Sequence, residues 1–484
     1  MACTTILVGK KASWDGSTMI ARNDDGRFDV KKLIAVPPEK QPRKYKSVIG
    51  HLELDLPDDP LRYTATPNVD PKRGVWAAGG INAANVAMTA TETITSNPRV
   101  LGADPYVRYE KKGRHETPGG LGEEDLVTVT LPYIRSAREG VARLGKLLET
   151  FGTYEANGIA FADREEIWWL ETVGGHNWMA RRVKDDEYVM MPNQLGIDCF
   201  DLADAYGGQA ENMCSPGLKE LVETAHLDLN TDGRFNPRLV FGSRRDADHV
   251  YNTPRAWYMG RYFNPHTCRW DGGDADFTPE SDDIPWSLVP ERKITVEDVK
   301  YILGSHYQGT VYDPYRKGDS PDRGRYRPIG VNRTDVMAVM QLRPGVPEEI
   351  AGVEWICFAS NTFNAAVPLY ANTDAIPDYF SRVTTDVSTE NFFWCSRLIG
   401  ALADPHFGAA VQLIERYQEA VANGGHRIIG EYDAKMAATG DFSLIAEANR
   451  KAAEMAKKET QDVLNQLTLT ACQRMRNGYS RADN

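Results

Sequence analysis

Residues 3–26 read CTTILVGKKASWDGSTMIARNDDG, and this stretch decides the fold. Two β-prone runs, 3–8 and 18–21, are separated by a polar segment that ends in Asp-Gly. Asp and Gly tolerate the left-handed conformations that tight turns need, so the pattern predicts a β-hairpin. The second strand would return Arg22 and Asp25 to the end of the first strand, where the cysteine at position 3 lies.

Cys3 is a candidate nucleophile because it lies so close to the start of the chain. A free α-amine has a pKa of about 7.7–8.0, so near neutral pH it can take a thiol proton without a separate histidine. Arg22 would stabilise the thiolate, and Asp25 would orient the amine or pair with the arginine. From these residues alone two alternatives stay open: Cys3 is a small buried hydrophobic residue, and Arg22 with Asp25 is a surface ion pair beside a turn.

Four further motifs follow the hairpin in one order, at 168–172, 191–195, 252–255 and 361–364. Together with the hairpin they resemble the dipeptidase A family of cysteine peptidases, relatives of the secernins within the N-terminal-nucleophile hydrolases. The matching stretches cover most of the chain. The resemblance implies a four-layer αββα sandwich and a cysteine dipeptidase activity.

The resemblance also implies roles for three more residues. Asn193 matches an asparagine that stabilises the oxyanion, and Arg255 matches a second arginine that lines such sites. From the residues alone, Asn193 is a turn residue that caps a strand end, and Arg255 is compatible with a structural ion pair. Glu92 stands where the acylase relatives carry an asparagine, and its carboxylate suits a substrate with a free ammonium, as a dipeptide has.

Met1 and Ala2 precede the candidate nucleophile. Either the thiol cleaves the peptide bond before Cys3 and frees its α-amine, or the enzyme keeps Ala2 and uses another base. The function favoured by the sequence is a broad-specificity dipeptidase that hydrolyses unblocked dipeptides through a Cys3 acyl-enzyme. The alternatives are an amidase or acylase that cleaves a non-peptide amide, and a secernin-like role in which turnover is incidental.

Composition argues against other classes of function. A net charge of −12 without a basic arm is unfavourable for nucleic-acid binding. Seven widely spaced cysteines without a Cys-x-x-Cys pair predict neither a disulfide framework nor a zinc site, and no motif for a metal or a nucleotide is found. We therefore expect no cofactor. No apolar run approaches the roughly 18–20 residues that span a bilayer, and a secretion signal is lacking, so we expect a cytoplasmic protein.

The rest of the chain predicts an α+β fold. Strand patterns occur at 75–79 and 86–91 as a second hairpin, at 158–162, 167–172 and 176–182 as a meander, and at 188–191. An amphipathic pattern predicts a helix over 123–149, with Pro132 and Gly140 as candidate breaks. Thr295 is expected to cap a helix that runs to about residue 303.

We expect the chain to form one unit, 1–484, without a linker that divides it. Within this unit, 271–290 is acidic and contains three prolines, which predicts an exposed loop. The stretch 442–476 is rich in helix-forming residues and lacks Pro and Gly, which predicts one long C-terminal helix. That helix is expected to pack on the body of the chain, or on a second subunit if the protein is a homo-oligomer.

Overall fold

The computed structural model describes residues 2–231 and 233–475. The strands are β1 (Ala2–Val8), β2 (Thr18–Asp25), β3 (Ile34–Val36), β4 (Lys44–Lys46), β5 (Glu53–Asp55), β6 (Tyr63–Ala65), β7 (Gly79–Ile81), β8 (Ala87–Thr89), β9 (Glu92–Thr93), β10 (Glu110–Lys112), β11 (His115–Thr117), β12 (Asn157–Ala162), β13 (Ile167–Val173), β14 (Asn177–Val183), β15 (Tyr188–Met191), β16 (Asn212–Cys214), β17 (Ser287–Leu288), β18 (Val336–Leu342), β19 (Gly352–Phe358) and β20 (Val367–Tyr370).

The α-helices are α1 (Pro98–Ala103), α2 (Leu126–Thr130), α3 (Ala137–Phe151), α4 (Leu202–Tyr206), α5 (Leu218–Thr224), α6 (Pro237–Phe241), α7 (Asp248–Tyr251), α8 (Thr253–Phe263), α9 (Val296–Leu303), α10 (Asp378–Ser381), α11 (Phe392–Ala403), α12 (Phe407–Thr439) and α13 (Leu444–Gln473). Short 3₁₀ helices lie at Pro38–Lys40, Pro71–Arg73, Leu131–Tyr133, Glu348–Ile350 and Asp404–His406.

The first sheet, which we call the Cys3 sheet, has the strand order β17-β15-β1-β2-β18-β19-β20. The predicted hairpin of β1 and β2 is confirmed, and its register sets Cys3 opposite Asp24 and Thr5 opposite Arg22. β2 continues past the predicted 18–21 as far as Asp25. The reason is that β18 pairs with β2 along its length and supplies a second row of backbone partners.

The second sheet, which we call the meander sheet, has the order β16-β14-β13-β12-β8-β7, and β9 also pairs with β12. The predicted meander is confirmed as β12, β13 and β14. The second hairpin is present as β7 and β8, but its first strand runs over Gly79–Ile81, so only the last residue of the predicted 75–79 belongs to it. Trp76 has a φ of 50°, a left-handed conformation that is incompatible with a continuous strand.

The two sheets pack face to face, and helices cover their outer faces. Leu7 of the Cys3 sheet and Trp169 of the meander sheet belong to one buried apolar cluster between them. A second cluster joins the outer face of the meander sheet to α3 through Leu144. A third joins the outer face of the Cys3 sheet to α8, α9, α11, α12 and α13. The α+β class with a helical C-terminal part is therefore confirmed.

The helix predicted over 123–149 is wrong as one element. The segment forms α2, a 3₁₀ turn at Leu131–Tyr133 and then α3. Pro132 lies in that turn, where its missing N–H and its ring interrupt the helical ladder. Gly140 does not break α3; a Cβ there would overlap the ring of Phe161, so glycine permits the close approach of helix and sheet. The cap at Thr295 is confirmed as a capping box with Asp298.

Two long helices end the described chain. α13 lies within the expected 442–476, of which residue 476 is outside the described residues. α13 packs on α12 and on β20, where Asn449 Oδ1 accepts from Tyr370 N at 2.8 Å and its Nδ2 donates to the Tyr370 carbonyl at 3.0 Å. The separate helix α12 was not predicted. In the described chain, none of the helices is both long and apolar enough to cross a membrane.

The first part of the predicted loop, 271–283, is mostly exposed, but the last part of 271–290 belongs to the core. Ile284 and Trp286 are buried, and β17 then pairs with β15 in the Cys3 sheet. The exposed loop therefore ends before Ile284, because two large apolar side chains interrupt the acidic and proline-rich pattern.

Candidate active site

The hairpin places Cys3 on the face of its sheet that looks toward the meander sheet. Residues directly opposite each other in an antiparallel pair project from the same face, so Cys3, Thr5, Arg22 and Asp24 share one face. Leu7 continues this face into the apolar cluster between the sheets. With Ala2 preceding it, Cys3 is 0% exposed.

Arg22 connects the Cys3 thiol to two buried carboxylates. Its Nη2 lies 2.8 Å from Cys3 Sγ, 2.5 Å from Glu123 Oε1 and 3.4 Å from Asp24 Oδ1. Lys31 Nζ lies 3.0 Å from the other Asp24 oxygen. Burial on its own would lower the pKa of Arg22, but the surrounding thiol and carboxylates raise it above the ordinary value. The guanidinium therefore keeps its charge beside the sulfur.

The thiol of Cys3 is difficult to ionise in this form of the chain. Burial raises its pKa well above the ordinary value, and the positive charge of Arg22 opposes that rise. Three carboxylates raise the pKa further, namely Glu92, Glu123 and Asp24. A reaction at this sulfur therefore needs a base close to Cys3, a smaller burial penalty, or both.

The same residues include a group whose spacing would suit a metal ion. Ligand atoms of Cys3, Asp24 and Glu123 all lie within 4.8 Å of one another. However, Nη2 of Arg22 is already within hydrogen-bond distance of each of them. The positive charge at the centre of this group is therefore a guanidinium, and a metal ion would have to displace it.

Asp25 lies on the opposite face of β2 from Arg22. Its carboxylate pairs with Arg327 and accepts from Thr334 Oγ1 at 2.6 Å. Arg22 is paired with Asp24 and Glu123 instead, which corrects the expectation that Asp25 pairs with it. Because side chains alternate along a strand, Asp24 projects from the same face as Arg22 and Asp25 projects from the other. In the register Asp25 lies opposite Ala2, beside the bond that precedes Cys3.

Asn193 and Arg255 contact the backbone of Cys3. Asn193 Oδ1 accepts from Cys3 N at 3.3 Å and from Arg255 Nη2 at 2.7 Å, and its Nδ2 donates to the Thr93 carbonyl at 2.9 Å. Arg255 Nη1 donates to the carbonyl of Cys3 and to Thr4 Oγ1, the latter at 2.7 Å. Arginine can only donate, so this contact determines that the oxygen of the Asn193 amide faces the nitrogen of Cys3.

Asn252, at the start of α8, forms hydrogen bonds with both Asn193 and Arg255. The sequence did not predict a role for this residue. Its Oδ1 accepts from Asn193 N at 3.1 Å and from Arg255 Nη2 at 2.8 Å. Its Nδ2 donates to the Asn193 carbonyl at 3.2 Å and to Asp248 Oδ1 at 2.7 Å. Burial, together with the charge of Arg327, lowers the pKa of Arg255 to about 10.

Glu92 approaches from β9 of the meander sheet. Its Oε2 accepts from Thr5 Oγ1 at 2.8 Å, while its buried Oε1 has no hydrogen-bond partner among the described residues. Burial raises the pKa of Glu92 to about 8, although two arginines and the Thr5 hydroxyl act in the opposite direction. This carboxyl is therefore ready to accept a cationic group that enters the site.

The structure brings together five of the six residues selected from the sequence, namely Cys3, Arg22, Asn193, Arg255 and Glu92. Sequence reasoning missed Glu123 and Asn252. Asn252 belongs to the motif at 252–255 and could have been found there. Glu123 opens a run of three acids before α2, a weak signal that does not predict a contact with a strand about one hundred residues earlier.

Comparisons with known proteins identify the family of this chain. Residues 2–420 match the model of peptidase family C69. A protein named dipeptidase from Bifidobacterium longum is 51% identical, with all of both chains covered. Probable dipeptidase A from Streptococcus pyogenes serotype M3 is 49% identical over all of both chains, and dipeptidase A from Lactobacillus helveticus is 43% identical over 96% of each. The chain therefore belongs to peptidase family C69.

Proposed function

We propose that this chain is a cysteine dipeptidase of broad specificity that hydrolyses unblocked dipeptides, with Cys3 as its nucleophile. The observation that carries the proposal is the distance of 2.8 Å between Arg22 Nη2 and Cys3 Sγ in a chain of peptidase family C69. Full-length relatives that bear the name dipeptidase support this choice of substrate.

We assign the whole chain, 1–484, to one αββα unit of the N-terminal-nucleophile type. Two sheets packed face to face, with helices on both outer faces, support this assignment. All seven cysteines are free thiols, which suits the reducing conditions of the cytoplasm.

The reaction needs a base, and we assign this role to the α-amine of Cys3 itself. The sulfur attacks the carbonyl carbon of Ala2, the peptide C–N bond breaks as the nitrogen takes the thiol proton, and water hydrolyses the resulting thioester. Cys3 N already lies 3.3 Å from Asn193 Oδ1, so the new amine remains oriented. Asp25, opposite Ala2 in the register, lies beside the new terminus and is assigned to orient it.

Peptide hydrolysis then follows two steps. The amine takes the thiol proton, the thiolate beside Arg22 attacks the scissile carbonyl, and the protonated amine gives its proton to the leaving amino group. Water, activated by the same amine, hydrolyses the acyl-enzyme and restores the thiol. We assign Asn193 Nδ2 and nearby backbone N–H groups to the oxyanion, and Arg255 to the alignment of the Cys3 backbone.

Glu92 is assigned to the ammonium of the substrate. Its Oε1 has no partner in the described chain, and an ammonium beside it would lower its pKa from about 8 and ionise it. A buried ion pair of this kind distinguishes an unblocked dipeptide from an acylated amine. The assignment therefore favours a dipeptidase over an amidase or acylase.

Replacing Cys3→Ala should lower kcat/KM for dipeptides by about four orders of magnitude or more, because the acyl-enzyme cannot form. The measurement is hydrolysis of unblocked dipeptides, with circular dichroism as the check on folding. Cys472→Ala, at an exposed cysteine of α13, is the matched control and should leave the rate unchanged. Substantial turnover by the folded Cys3→Ala protein would exclude the mechanism.

Replacing Arg22→Gln should move the pH profile for alkylation of Cys3 by iodoacetamide to higher pH by about one unit or more. The sign follows because Arg22 lowers the pKa of the thiol and its removal raises it. Arg22→Lys keeps a charge and should give an intermediate shift. Arg450→Gln, at an exposed ion pair on α13, should leave the profile unchanged. An unmoved profile in folded Arg22→Gln would contradict the role of the guanidinium.

Replacing Glu92→Gln should raise KM for unblocked dipeptides by about ten- to a hundred-fold, because a charge-assisted hydrogen bond to the ammonium is lost. KM for amine-blocked substrates should change much less. Glu354→Gln is a close control, because Glu354 is also buried and accepts from a threonine hydroxyl, that of Thr64, at 2.8 Å. Equal effects of Glu92→Gln on both substrate types would reject the assignment.

A further inference from the structure

A cavity of about 660 Å³ lies between α9, α12 and the segment that follows β19. Five aromatic side chains form much of its wall, namely Tyr262, Tyr301, Trp355, Phe363 and Phe407. Its lining contains none of the residues around the Cys3 thiol. A concave, mostly apolar space of this size with a few polar groups is typical of a binding site for a small molecule.

Lys300 of α9 is the unpaired cation of this cavity. Its side chain is only partly exposed, and within the described chain its ammonium forms no hydrogen bond or ion pair. Burial lowers the pKa of Lys300 to about 8, with the nearby Cys357 acting against that change. At neutral pH most of the population therefore carries a charge without a counter-ion, which is costly unless a ligand supplies one.

Three carboxylates that line the cavity already have basic partners. The distances are 2.6 Å for Glu297 to His426, 2.6 Å for Asp298 to Arg292 and 2.8 Å for Asp313 to His306. Glu415 and Glu419 are exposed and lie one turn apart on α12, at the edge of the cavity. Lys300 therefore forms no ion pair with an acidic side chain of the described chain, while Glu415 and Glu419 place negative charge on the α12 side of the cavity.

Asn361 supplies an unsatisfied acceptor in the same cavity. It is 0% exposed, and its Oδ1 has no hydrogen-bond partner among the described residues. Its Nδ2 donates to Asn23 Oδ1 at 2.8 Å, and Asn23 lies opposite Thr4 in the β1–β2 hairpin. The cavity wall is therefore one hydrogen bond away from the strands that carry Cys3 and Arg22.

We propose that this cavity binds a free amino acid with an apolar or aromatic side chain. The carboxylate pairs with Lys300 Nζ, the ammonium donates to Asn361 Oδ1 on the side of Glu415 and Glu419, and the side chain packs on the aromatic wall. Amino acids of this kind are also products of a dipeptidase, so a role in product feedback rests on the proposed function. The binding of the amino acid in this cavity does not depend on the proposed function.

Titration calorimetry at pH 7 tests the site with three ligands of similar shape. L-phenylalanine should bind, 3-phenylpropanoate, which lacks the ammonium, should bind about ten-fold more weakly, and 2-phenylethylamine, which lacks the carboxylate, should not bind detectably. Equal affinity of 3-phenylpropanoate and phenylalanine would overturn the assignment to an amino acid. Absence of phenylalanine binding at millimolar concentration would overturn the site.

Lys300→Met should weaken phenylalanine binding by about ten-fold or more, because it removes the charge and keeps much of the volume. Lys317→Met, at an exposed lysine outside the cavity lining, is the matched control and should bind as the natural protein does. Val411→Phe, which narrows the cavity from α12, should also abolish binding, and thermal unfolding checks that each variant is folded.

Binding at the active site would give a different pattern. It would respond to Glu92→Gln and not to Lys300→Met, and that result would overturn the cavity proposal. Because calorimetry requires no turnover, a failure of the proposed dipeptidase activity leaves this test unaffected, and the two failures can be told apart.

Discussion

The buried guanidinium of Arg22 is the interaction on which the rest of the site depends. A charge removed from water is stable only when it is paired and hydrogen-bonded. Arg22 meets this condition through Asp24 and Glu123, and Asp24 is balanced in turn by Lys31. The Cys3 sulfur is a further partner of the same Nη2 atom, at 2.8 Å. Strand register, the acidic run before α2 and the segment that follows β2 must therefore all be in place before the thiol has its cationic neighbour.

Both sheets contribute side chains around Cys3. The Cys3 sheet supplies the sulfur and, from the turn after β15, the amide of Asn193. The meander sheet supplies Glu92, whose carboxyl contacts Thr5 across the interface between the sheets. The site between the two packed sheets is buried, and this burial raises the pKa of both the Cys3 thiol and the Glu92 carboxyl. The same burial makes opposite charges, including a substrate ammonium, strong partners there.

Local patterns in the sequence predicted the hairpin, the meander and the helix cap at Thr295, because each depends on neighbouring residues. Contacts between distant segments could not be predicted in this way. The choice between Asp24 and Asp25 depends on how far β2 extends, because alternation places Arg22 and Asp24 on one face only if the strand continues past residue 21. Pairing with the distant strand β18 accompanies this extension. Glu123 and Lys300 both depend on segments that are distant in the chain. Glu123 contacts Arg22 of β2, and Lys300 lines a cavity whose other side is formed by α12.

The central claim is that the freed α-amine of Cys3 acts as the base for its own thiol. Intact-mass analysis of active protein, read together with its specific activity, tests this claim most directly. We expect that the active species begins at Cys3 and that activity rises in proportion to the loss of Met1 and Ala2. Full activity in protein that retains Ala2 would contradict it.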